Sequence, residues 1–238
     1  MILLLSDKIQ GMAAFAQAVT FDLGEGGTVT GRIVQMIALL TVLSLAPSIL
    51  VMITSFTRFV IVFSLLRTAI GIQQSPPNSV LISLALFMTF FIMQPALETA
   101  WNDGITPLIN EEIDEMEAFE RSIAPFRSFM LANVRPTDLR LFLDIAGIDL
   151  IANPDETPLR ALIPAFMISE LKRAFEIGFL LFIPFLVIDM VVASVLMSLG
   201  MMMLPPVMIA LPFKLIFFVL IDGWYMVVGS LIKGFNAG

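Results

Sequence analysis

Ile177–Ile232 reads IGFLLFIPFLVIDMVVASVLMSLGMMMLPPVMIALPFKLIFFVLIDGWYMVVGSLI and decides the fold class. Its only charges are Asp189, Lys214 and Asp222. Ile177–Leu199 and Val207–Ile232 are each long enough, at about 1.5 Å per residue, to cross the roughly 30 Å core of a bilayer as helices. Gly200–Pro206, GMMMLPP, is the turn between them by its glycine and prolines. The pattern predicts an apolar helical hairpin, in a chain that is 58% hydrophobic and 14% charged over 238 residues, with a mean hydropathy of +0.97. An ordinary soluble domain is about 25% charged, so this chain belongs with membranes.

Working outward, a second apolar pair lies nearer the N-terminus. Ile33–Thr57 carries no charge, and Pro47 within it predicts a kink or break near Ala46. Arg58 and Arg67 follow in TRFVIVFSLLR, where a nine-residue spacing allows one helix face, and Gly71–Asn78, GIQQSPPN, is a turn. Val80–Leu97 is a further uncharged run. The expected architecture is all-α. Four hydrophobic helices, kinked or broken, form two hairpins, with an acidic, partly helical extracytoplasmic insertion between helices two and three. The corresponding segments are 1–31, an N-terminal segment; 32–97, the first hairpin; 98–162, the insertion; and 163–238, the second hairpin.

Charge is distributed unevenly. Glu98–Arg160 holds 13 of the 20 acids and 5 of the 13 bases, hence −8, against +1 for the remainder and −7 for the whole. The run of acids from Glu111 to Glu120 has no EF-hand spacing and reads as a solvated helix face. In FRSFMLANVRPTDLRLFLDIAG, Phe126, Phe129, Met130, Leu139, Phe142 and Leu143 recur at helical intervals, which predicts an amphipathic segment. Arg58 and Arg67 without acidic neighbours place the first connection in the cytoplasm, and so the insertion and both termini outside it, in a periplasm. Ala16-Gln17-Ala18 has the form of a signal-peptidase site, whereas MILLL is too short for a signal core; both readings of the N-terminus stay open.

The chain has neither Cys nor His, which removes thiol nucleophiles, disulfides and the commonest general base and metal ligand. No HExxH, GxSxG, phosphate-cradling loop or converging acid pair is present, so no catalytic residue, metal site or cofactor is expected. An acidic chain without a basic patch makes nucleic acid an improbable partner. Two sets of residues remain. Met201, Met202 and Met203 occupy a turn where polar residues are usual. Their adaptable thioethers suit either a packed hairpin tip or a seal that closes on whatever passes.

The second set is the charges in apolar context, Glu170, Asp189, Lys214 and Asp222, costly in a membrane unless paired or functional. Counted from Met203, Asp189 and Lys214 fall within about 4–5 Å of each other in depth on antiparallel helices, so they can pair within one hairpin. Glu170 lies some 33 Å from the level of Lys214 on straight helices. Those two can meet only through a bend or a shifted neighbouring copy. Trp224, beside Asp222 and Gly223, reads as an interface anchor.

Several long runs resemble the FliP family of flagellar and injectisome membrane proteins, components of the type III secretion export gate: Leu43–Arg67, Gly71–Asn78, Leu84–Met93 and Ile163–Trp224. The DGW at Asp222–Trp224 is similar to the flagellar branch. The resemblance implies assembly of several copies, with FliQ-like and FliR-like membrane proteins and other export-apparatus components, into a staggered pore in the bacterial inner membrane at the flagellar basal body. Unfolded flagellar substrate chains would pass through its centre, within surrounding lipid. It implies further that Met201, Met202 and Met203 form the pore gasket, that Phe129, Phe142 and Glu170 serve self-assembly, and that Lys214 pairs with Glu170 between copies. Pro205 departs from the family pattern, which has Ser before Pro206, and stiffens the turn. The rival reading is a self-contained ion or solute transporter using Asp189, Lys214 and Asp222.

Overall fold

The computed structural model describes residues 29–72, 74–148, 156–201 and 203–236. The chain forms two units, residues 1–47 and 48–238. The helix that begins in the first unit, α1, spans Val29–Ile53. The signal-like Ala16-Gln17-Ala18 lies outside the described residues.

The helical backbone is continuous through Ala46 and Pro47, and it breaks instead at Thr54–Ser55. The Thr54 hydroxyl accepts a hydrogen bond from the Phe56 amide at 3.5 Å. Such a local side-chain bond offers the backbone an alternative to the helical ladder. The expected single helix Ile33–Thr57 therefore ends early, and a separate helix α2, Phe56–Ile70, takes over. It closes at Gly71, whose φ of +90° only glycine adopts without strain. After the predicted turn, α3 runs Asn78–Ala100, continues through a π-helical turn at Trp101–Ile105 and reaches the short α4, Thr106–Ile109.

The insertion folds into α5, Glu115–Asn133, capped by the Asp114 carboxylate accepting from the Glu117 amide at 2.7 Å, and α6, Pro136–Ile145. Phe126, Met130 and Leu143 are buried, as the amphipathic spacing predicts. Glu115 and Glu117 in the first turn of α5 stay exposed, whereas Asp138 in the first turn of α6 is half-buried. Helix α7, Leu159–Ser198, has 40 residues and is about 60 Å long. It fuses the expected helix three with the segment before it and runs on through Pro164, Gly178 and Pro184 without a break.

The expected helix four is two helices, α8, Pro206–Leu220, and α9, Gly223–Asn236, bent by 61°. The cause is Asp222, held at φ +51°, a left-handed conformation that stops the right-handed ladder. The Phe218 ring then lies so close over Gly223 that a Cβ there would meet it at 2.2 Å. Among the described residues two helical stretches are long and apolar enough to cross a membrane, Asn78–Ile109 and Leu159–Ser198, and the bent α8–α9 pair makes a third if taken as one span. The expected all-α class with kinked or broken apolar helices stands, and no strand occurs among the described residues.

Helix α2 sits at the centre of the second unit. Its Phe59, Val62, Phe63 and Leu66 are buried against Ala85 of α3, Ala174 and Phe185 of α7, Phe218 of α8 and Leu231 of α9. A smaller core joins Ile53, Met93, Phe126, Met130, Leu162 and Phe166. Close approach of α2 and α7 depends on Gly178, where a Cβ would come within 2.3 Å of Leu65 Cδ1.

Candidate functional site

Burial of α2 carries a cation into the core. Arg58, only 1% exposed, grips the fully buried Glu170 of α7 with both carboxylate oxygens: Nε donates to Oε2 at 2.7 Å and Nη2 to Oε1. A paired fork of this kind is the strong form of carboxylate recognition. Its guanidinium carbon also lies 3.5 Å above the centre of the Phe235 ring, and Nη1 donates to the Gly234 carbonyl at 3.4 Å. One arginine thus ties α2 to α7 and α9.

Phe129 belongs to the same cluster. Its ring stacks on Phe235 at 5.8 Å between centroids and meets Phe166 edge-on at 5.9 Å. Next to Glu170, Ser169 donates to Asp138 Oδ2 at 2.7 Å and accepts from the Arg135 amide at 3.0 Å, which anchors α6 on α7. Phe142, on α6, is half-buried. Phe129 and Glu170 therefore converge, through Phe235 and Arg58, on the attachment of α9.

Asp189 and Lys214 meet across α7 and α8 with Nζ 2.6 Å from Oδ2, the pairing that the count from the turn allows. Lys214 is 4% exposed and also donates to the Ala69 carbonyl at 3.3 Å, so it ties both helices to the end of α2. Glu170 and Lys214 are thus each engaged by a different partner within the chain. A Glu170–Lys214 pair between copies would require breaking both existing pairs. Asp222 is exposed at the α8–α9 bend and takes no part in that ion pair.

At the turn, Met203 is 98% exposed and Met201 47%, and Met202 lies outside the described residues. Exposed Leu204, Val207 and Met208 extend the apolar tip.

Arg58 and Phe235 are the residues that sequence reading passed over. Paired with Arg67 as a loop charge, Arg58 would face water, whereas it is 1% exposed. The signal against that reading is the apolar run that follows it, FVIVF, with no polar residue from Phe59 to Phe63. Its burial also leaves Arg67 as the loop cation on which the inferred orientation rests.

These features define an α-helical membrane protein whose deeply buried charges, among the described residues, are closed into structural pairs and which exposes many large apolar side chains. The FliP family profile matches residues 39–231. The chain is 61% identical over 231 residues to the flagellar biosynthetic protein FliP of Caulobacter vibrioides, covering 97% of this chain and 87% of that protein. It is 55% identical over 212 residues to the FliP of Rhizobium meliloti, covering 88% and 86%, and 54% identical over 202 residues to that of Bacillus subtilis, covering 85% and 91%. The chain belongs to the FliP family.

Proposed function

We propose that the chain is a non-enzymatic subunit of the flagellar type III export gate, which assembles with further copies and with FliQ-like and FliR-like proteins into a sealed pore. Unfolded flagellar proteins cross the inner membrane through that pore. The observation that carries this reading is the methionine turn. Met203 is 98% exposed at the tip of two apolar helices, and beside it Leu204, Val207 and Met208 are apolar side chains left exposed among the described residues. Patches of that kind mark contacts with other chains. Unbranched thioethers fit a contact that must close on itself and then on varied sequences.

In this reading Met201, Met202 and Met203 form the gasket, while Phe129, Phe142, Glu170 and Lys214 shape the subunit so that it can assemble. The insertion and both termini face the periplasm, with Arg67 on the cytoplasmic side. The transporter alternative loses its support from the closed Asp189–Lys214 pair, since a cation engaged by a carboxylate and a helix-end carbonyl is poorly placed to relay ions.

The test is the triple substitution of Met201, Met202 and Met203 by Ala in the subunit co-expressed with its two smaller partners. The complex should assemble at normal yield and leak small ions when reconstituted in vesicles. Lost assembly without leak would instead assign the turn to packing.

A further inference from the structure

Between the end of α2 and the α8–α9 bend lies a cavity of about 380 Å³, walled by Arg67, Pro76, Leu215, Phe218, Asp222 and Trp224. It falls at the small end of ligand pockets, roughly 300–1,000 Å³. Two opposite charges face it without meeting: among the described residues no ion pair joins Arg67 to Asp222. Arg67, in the cavity wall, donates from Nη1 to the Asn78 side chain at 2.5 Å and the Pro76 carbonyl at 3.3 Å, which fixes the guanidinium there and leaves Nε and Nη2 outside those two bonds.

Asp222 is exposed, immediately beyond the C-terminus of α8, where unsatisfied carbonyls add negative potential. Trp224 closes one wall, held edge-on by Phe218 at 5.6 Å and Phe63 at 6.2 Å and still 38% exposed. From the cavity mouth, exposed Leu215, Val219 and Leu220 run along α8 as an apolar track.

A guanidinium, a carboxylate, an interfacial indole and an apolar track are the complement of a molecule with a phosphate, a cation and hydrocarbon tails. We propose that this cavity binds an amine-bearing zwitterionic phospholipid of the phosphatidylethanolamine class, its phosphate on Arg67, its ammonium on Asp222 and its acyl chains along α8. The primary ammonium donates hydrogen bonds to the Asp222 carboxylate. A choline headgroup has no N–H to donate, and a glycerol headgroup has no cation for Asp222 to attract. Bound there, the lipid braces the 61° bend by bridging α2 and the α8–α9 junction.

The test is native mass spectrometry of the full chain in mild detergent, after exchange with phosphatidylethanolamine, phosphatidylcholine or phosphatidylglycerol. Phosphatidylethanolamine should be retained about tenfold better than either of the others, as expected for a charge-assisted contact on each end. Asp222→Asn, which tolerates the φ of +51° much as Asp does, should abolish that preference while leaving the thermal midpoint of the protein unchanged. Arg67→Gln should lower retention of all three lipids. Equal retention of choline and ethanolamine lipids, preference for the glycerol lipid, or an undiminished preference in Asp222→Asn would overturn the proposal. So would loss of the lipid on assembly with the smaller gate partners, which would make the cavity a protein contact.

Discussion

Removing the Glu170 carboxylate should damage the subunit itself, before any contact with a second copy. In Glu170→Ala the Arg58 guanidinium, 1% exposed, is left inside the core with one carbonyl and one ring for partners. Breaking a buried pair from one side costs about 3–5 kcal/mol. That corresponds to a shift toward the unfolded state of roughly a hundred- to several-thousand-fold. Most of the loss is the penalty for the orphaned charge, so Arg58→Met combined with Glu170→Met should recover much of it, since a hydrophobic replacement of similar volume is often close to neutral.

Recovery will be incomplete because Arg58 also covers Phe235, a contact worth roughly 0.5–2 kcal/mol. The assay is a double-mutant cycle read by thermal unfolding in detergent, with oligomer recovery measured in parallel. The Arg58/Glu170 cycle should show a coupling of about 2 kcal/mol or more, and the Lys214/Glu170 cycle should show close to none. Additive losses for Arg58 and Glu170, or strong coupling of Glu170 to Lys214 that appears only in the oligomer, would refute the intrachain reading.

Other expectations follow from the same geometry. Lys214→Ala should cost less than Glu170→Ala, about 1–3 kcal/mol, because the Asp189 side chain it abandons is 28% exposed and can draw on water; thermal midpoints of the two variants compare them directly. Gly178→Ala should destabilise the chain by about 1–3 kcal/mol by forcing α7 away from Leu65, and Leu65→Ala in the same chain should relieve part of it in the same melt. Phe235→Ala should lower oligomer recovery although it lies outside the residues linked to assembly, since Phe129 and Arg58 both rest on its ring. Asp222→Val should destabilise the bend, because a β-branched residue resists the left-handed backbone, whereas Asp222→Gly should be neutral or mildly stabilising.

Much of the architecture is legible from periodicity and punctuation. The turn at Gly71–Asn78, helix α3, the amphipathic insertion and the methionine turn all follow from apolar runs and their breakers. The Asp189–Lys214 pair follows from counting residues back to that turn, because antiparallel helices convert sequence distance into depth. Three features resist such reading. The break at Thr54–Ser55 depends on one hydroxyl competing with the helical ladder, a weaker local signal than Pro47 seven residues earlier, across which the helix continues.

The bend at Asp222 depends on a left-handed residue that hydropathy does not register. The inward position of Arg58 depends on α2 being surrounded by four other helices. An apolar run reads alike whether lipid or protein covers it. For the site, Phe129, Phe142 and Glu170 stand out from the sequence only through family resemblance. The meeting of Phe129 and Arg58 on Phe235 is a property of the folded chain.

Native mass spectrometry of the purified chain, alone and co-expressed with FliQ-like and FliR-like proteins, tests the export-gate assignment most directly. A discrete homo-oligomer that takes up the two smaller proteins is the predicted result. A monomer or simple dimer that ignores both would contradict it.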